Sequence, residues 1–185
     1  MNFTLLHEVV LWAMGAVLAL ALAVIVERLL YFAQVERLRR RLLAAPEAVA
    51  GNAGPHAQML AGVLALRAGG ASAERTDLRI QALYLAQQAS VRRLLWVVDT
   101  AITLSPLLGL LGTILGIIDT FTALAAEGVS DPQAVSRGIG TALVATGAGI
   151  GIAVFCLVFN NFFLERVERV NDQLKLMALE QAGAA

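Results

Sequence analysis

Charge is what this sequence has least of. Only 15% of its 185 residues are acidic or basic, while 58% are hydrophobic, a balance far too apolar for a soluble domain of this length. The 14 Lys and Arg cancel the 14 Asp and Glu, so there is no net basic field of the kind that holds nucleic acid. Cysteine is nearly absent: Cys156 stands alone, cannot form an intrachain disulfide, and reads as a small buried hydrophobe inside an apolar run. Also missing are a Gly-rich loop ending in Gly-Lys-Ser/Thr, a HExxH, a CxxC and a nucleophile elbow. No catalytic grouping remains, so neither an enzyme nor a cofactor is expected. His7 and His56 fall near the start of the first apolar run and in a turn, on opposite sides of the membrane expected below. They read as surface histidines that cannot share a metal.

What is present is a set of long apolar runs. A bilayer core of about 30 Å takes roughly 20 apolar residues per helix, and three stretches meet that length: Val9 to Phe32, Leu94 to Ala126 and Ile139 to Leu164. The fold expected is therefore all-α, an integral membrane protein with three transmembrane helices extended by cytoplasmic helices. Its parts are an N-terminal segment with the first span (1–32), a cytoplasmic helical segment (33–93), the second span (94–126), an external loop (127–138), the third span (139–165) and a cytoplasmic tail (166–185). Glu27 and Arg28 sit near the inner end of the first run, where long side chains can snorkel. Pro106 removes a backbone donor and predicts a kink or an entry point in the second helix. The preceding MNFTLLHE has no Lys or Arg and no small-residue cleavage site follows, so the first run reads as a retained span rather than a signal peptide.

Orientation follows from the arginines. Arg37, Arg39, Arg40, Arg41, Arg67, Arg75, Arg79, Arg92 and Arg93 lie between the first two runs, and Arg166, Arg169 and Lys175 follow the third. The loop AEGVSDPQAVSR has only Arg137. The positive-inside rule puts the long segment and the C-terminus in the cytoplasm and the N-terminus outside. VERLRRRLLAAPEAVA and DLRIQALYLAQQASVRRLLWVVD show helical spacing, whereas NAGPHAQ and RAGGASAE read as turns.

The second and third runs are unusual in being rich in small and polar residues. Gly109, Gly112, Gly116, Asp119 and Ala123 recur at three and four residues, which is one helix face and allows close helix approach. A neighbouring stripe carries Asp99, Thr103, Thr113 and Thr120. On the third run Gly138, Thr141, Ala142, Ala145 and Gly149 share a face, with Thr146, Gly147 and Gly151 beside it. Packing alone accounts for glycines, and threonines can bond their own backbone. Carboxylates fit less well, because a charge at the bilayer centre costs about 2.5–3.5 kcal/mol on insertion scales. Asp119 faces either protein and water or the outer interface; Asp99 reads as an inner-interface residue.

The pair SPLLGLLGTILGIIDTF and GIGTALVATGAGIGIAVFCLVFNNF, separated by a short loop and preceded by VERLLYF, resembles the ExbB/TolQ/MotA family of proton-channel subunits, most closely its ExbB/TolQ branch. The resemblance implies a homopentamer around a central pore in the bacterial inner membrane, with an ExbD/TolR-like single-span partner inside it and a TonB/TolA-like energy transducer beyond. Proton flow would energise an outer-membrane transporter or an envelope process. It implies that Thr113 and Thr146 are pore threonines and that membrane lipid surrounds the assembly. One departure stands out. The third helix of the best-known members opens GIxEAL, and here Thr141 replaces the glutamate. Either the proton is carried wholly by the partner's aspartate, or Asp119 substitutes, or conduction is weak. The alternative function is a non-conducting scaffold that anchors a single-span partner.

Overall fold

A computed structural model describes residues 3–44, 54–68, 73–127 and 132–183. They form five helices: α1 (Phe3–Ala44), α2 (Pro55–Ala68), α3 (Ala73–Arg92), α4 (Leu95–Glu127) and α5 (Pro132–Gly183). The fold is all-α, and α1, α4 and α5 each carry a stretch long and apolar enough to cross a membrane. In such helices every interior backbone donor finds its acceptor within the helix, the condition lipid imposes.

The chain divides into two compact units. The first comprises Met1–Ile25 and Leu95–Asn161, that is, the first part of α1, all of α4 and the first part of α5. Val10 and Met14 of α1 meet Leu115 of α4, with Leu108 and Ile152 packed alongside. Much of the apolar surface is left outside this packing. In the most apolar window of each spanning helix, 22% of α1 and 28% of α4 and α5 is buried within the chain. Trp12, Leu107 and Val144 are among the large side chains turned outward, so these helices are built for an apolar surrounding of lipid or further subunits. Helix α4 continues through Pro106. Next to the proline, Ser105, fully buried, donates to the Ala101 carbonyl at 2.6 Å, and Thr103 donates to that of Thr100 at 3.0 Å, so both hydroxyls are satisfied by their own helix.

The second unit comprises Val26–Leu94 and Phe162–Ala185. Phe32 of α1 stacks on Phe163 of α5 with centroids 6.0 Å apart. Met59, Ile80, Val91, Val167 and Leu174 are among the other side chains of its interior. Gln87 of α3 donates to Gln58 of α2 at 2.9 Å. Arg28 does not snorkel as the sequence suggested. It is 3% exposed, its guanidinium lies 4.6 Å from the Tyr31 ring centre, and it donates to both Glu27 carboxylate oxygens (2.5 and 2.8 Å) and to the Val91 carbonyl (3.4 Å). Using the whole planar fork in this way is what makes burial of the charge tolerable.

Three boundaries differ from the sequence reading. Helix α5 begins at Pro132 rather than near 139, because proline has no N–H to leave unsatisfied in a first turn and its φ is preset for helix. It then runs to Gly183, so the tail expected over 166–185 is a continuation of the third spanning helix. Pro55 likewise opens α2, which puts His56 on a helix instead of in a turn. Of the RAGGASAE turn, Arg67 and Ala68 close α2 and Ala73 and Glu74 open α3, while 69–72 lie outside the described residues.

Candidate functional site

The polar residues of the first unit converge where α4 meets α5. Their approach depends on missing side chains. A Cβ on Gly109 would lie 2.9 Å from the Ala145 carbonyl oxygen and 3.1 Å from Thr146 Cα, and one on Gly149 would lie 2.5 Å from the Ser105 carbonyl oxygen and 3.1 Å from Gly109 Cα. Both obstacles are backbone, which cannot step aside as a flexible side chain can. A Cβ on Gly112 or Gly116 would instead meet the methyl of Ala145 at 3.1 Å or of Ala142 at 2.9 Å. The four glycines thus form a single seam with the alanines of α5.

Into that seam project two hydroxyls. Thr113 is within hydrogen-bond reach of the Gly109 carbonyl (3.1 Å) and the Ala142 carbonyl (3.2 Å). Thr146 donates across the interface to the same Gly109 carbonyl at 3.0 Å, and the two hydroxyl oxygens contact each other. Both residues are half-buried. Each hydroxyl has one proton and more than one acceptor, so both protons can be redistributed by rotating O–H bonds with no heavy atom moving. The Gly109 carbonyl receives a side chain from another helix only because its own residue has no Cβ.

The other two residues expected in the pathway lie elsewhere. Thr141 is exposed and bonds the Arg137 carbonyl of its own helix at 3.0 Å. Asp119 is half-buried, one turn beyond Gly116 on α4. Neither joins the hydroxyl pair. Sequence reasoning also misplaced both histidines. His7 of α1 turns towards Gly116, with its ring Nε2 enclosed and without a hydrogen-bond partner. His56 is 3% exposed, and its Nε2 donates to Gln173 Oε1 at 3.0 Å, tying α2 to α5 within the second unit. Burial holds its pKa below the ordinary 6.5; the bond to Gln173 works the other way, and nearby Arg39 adds to the lowering. The only sequence signal was Pro55, which marks a helix start and so takes His56 out of the turn.

Three helices long and apolar enough to cross a membrane, two of them joined by a seam of glycines and hydroxyls, define an integral membrane protein. Comparison with known sequences narrows it. Residues 52–176 match the MotA/TolQ/ExbB proton channel family, and the chain belongs to that family. It is 33% identical over 159 residues to biopolymer transport protein ExbB-like 3 of Synechocystis sp., covering 78% of this chain and 75% of that one. Over 73 residues it is 33% identical to the biopolymer transport protein ExbB of Aquifex aeolicus (40% of this chain, 49% of that one). Over 52 residues it is 50% identical to exbB1 of Vibrio cholerae (28% and 23%). The chain thus spans three quarters of the first of these relatives and half or less of the other two. It is a membrane protein of the ExbB branch, a subunit of the proton-channel type.

Proposed function

We propose that several copies of this chain, five by analogy with the family, enclose a single-span partner of ExbD/TolR type in the bacterial inner membrane. Proton passage along that axis moves the partner and energises an outer-membrane or envelope process through a TonB/TolA-like transducer. In this arrangement the N-terminus is periplasmic and the C-terminus cytoplasmic, as the distribution of arginines supports. The observation that carries the reading is the Thr113–Thr146–Gly109 cluster. A proton route through hydrocarbon needs hydroxyls or water without irregular backbone facing lipid, and this pair of reorientable hydroxyls supplies donors and acceptors with no permanent charge. Each charge crossing the field releases about 2.3 kcal/mol per 100 mV. That is more than the roughly 0.6–1.7 kcal/mol of a hydrogen bond between membrane helices, so the passage of one proton is enough to exchange a single hydrogen bond of the seam.

Thr141 leaves the chain without the family's acidic group on α5, and the charge carrier in this reading is a carboxylate of the partner. The same residue favours the second reading, a scaffold that holds a partner without conducting. Both are tested by reconstituting the chain with the product of a neighbouring single-span gene in vesicles and recording proton flux. Thr113→Val and Thr146→Val should abolish partner-dependent flux, and Thr113→Ser, which keeps the hydroxyl, should retain it. Complexes that form but pass no protons in the wild type establish the scaffold.

A further inference from the structure

We infer that the second unit carries a binding site for one anionic glycerophospholipid, in a groove between the α1 and α5 segments of that unit. The groove has a volume of about 430 Å³ and is lined by Leu29, Phe32, Glu36, Arg37, Phe162 and Arg166, among others. That lies within the about 300–1,000 Å³ of sites that enclose small molecules. Its lining changes character along its length. Leu29, Phe32 and Phe162 belong to the apolar runs of the sequence, whereas Arg37 and Arg166 come just after those runs end. An amphiphile with an acyl chain at one end and a phosphate at the other matches that order.

The charges decide which amphiphile. Glu36 is the only acid in the lining, and its carboxylate is already held by Arg39 (2.9 and 3.0 Å) and Arg40 (2.9 Å). Arg37 and Arg166 have no carboxylate partner among the described residues. The Arg166 guanidinium is instead laid over the Phe162 ring, 5.2 Å from its centre, which positions it at the groove while leaving its N–H groups free for an oxygen ligand. Two guanidiniums with unused donors favour a phosphate oxyanion, which each can take in a forked hydrogen bond. A zwitterionic headgroup brings its own cation into the same space and gains less. The site does not depend on whether the chain conducts protons, so its test is separate from that of the proposed function.

The full chain, with any partner it purifies with, is reconstituted in vesicles of equal phosphatidylglycerol and phosphatidylcholine with matched acyl chains, extracted gently, and weighed by native mass spectrometry. The wild type should retain phosphatidylglycerol over phosphatidylcholine by at least about fivefold, the effect of roughly one basic side chain at an anionic surface. Arg37→Gln/Arg166→Gln should lose that preference, and Lys175→Gln, an exposed cation outside the groove, should keep it. Equal retention of both lipids by the wild type overturns the inference, and this comparison stands even if the double variant fails to fold. So does unchanged selectivity in a folded double variant, or a double variant that alters only the number of copies in the complex, which would assign the groove to a second copy of the chain.

Discussion

At the scale of single residues, Gly109 carries one of the close backbone approaches of α4 to α5. Gly109→Ala forces a methyl to within 2.9 Å of a backbone carbonyl, and overpacking of this kind destabilises by about 1–3 kcal/mol. Gly147→Ala meets nothing within 4 Å in the chain and should leave monomer stability within about 1 kcal/mol, the scale of the helix-propensity difference. Thermal unfolding in detergent compares them; equal effects would refute the seam. Thr113→Val should lower stability by about 1 kcal/mol, the size of a hydrogen bond between membrane helices, and Thr113→Ser should not. His56 gives a pH dependence. Its folded pKa is lowered from 6.5, so as pH falls through that value the unfolded chain takes up a proton that the folded one refuses. Stability is then lost by up to about 1.4 kcal/mol per pH unit until the depressed folded value is reached. Hydrogen exchange of α2 between pH 7 and 5 should show the loss, and His56→Gln should flatten it. The glycine stripe was legible in the sequence because its three- and four-residue spacing depends on one helix alone. The burial of Arg28 and His56 was not, because each depends on a partner more than sixty residues away, Val91 for one and Gln173 for the other.

At the scale of elements, α3 and α4 read as one helical stretch, DLRIQALYLAQQASVRRLLWVVD, and the structure interrupts it. Leu94 has φ of 65°, in the left-handed region where glycine or asparagine is usual and a leucine costs roughly 1–2 kcal/mol. Neither residue type is present to announce the break. The Val91 carbonyl, left without a helical partner at the end of α3, is the one that Arg28 engages. Because a branched Cβ tolerates positive φ even less well, Leu94→Val should destabilise the protein by about 1–2 kcal/mol despite its apolar character, and Leu94→Asn should be tolerated. Denaturation monitored by circular dichroism decides this; indifference to valine would mean that the break relaxes at no cost. The early start of α5 was missed for another reason. Residues 132–138 are polar enough to fail an apolar criterion, yet they are competent to form helix once Pro132 has opened it.

At the scale of the whole molecule, hydropathy made the three spanning helices and the membrane class plain, since a bilayer demands length and apolarity that no other environment does. The two linked motifs pointed to the family. The axis the seam would serve cannot be read from one chain, because a pore made by several copies is a property of their arrangement. The exposed apolar surface of α1, α4 and α5 leaves ample area for both lipid and neighbouring copies. Thr141, exposed on α5, is where an acidic substitution tests that arrangement: Thr141→Glu should raise flux if it faces a hydrated axis and should impair insertion if it faces lipid. The most direct test of the account is proton flux into vesicles holding the chain and its single-span partner under an imposed membrane potential. Flux should need both proteins and should disappear in Thr113→Val and Thr146→Val while the complex stays intact. Flux unchanged in both variants, or none from an intact wild-type complex, would contradict it.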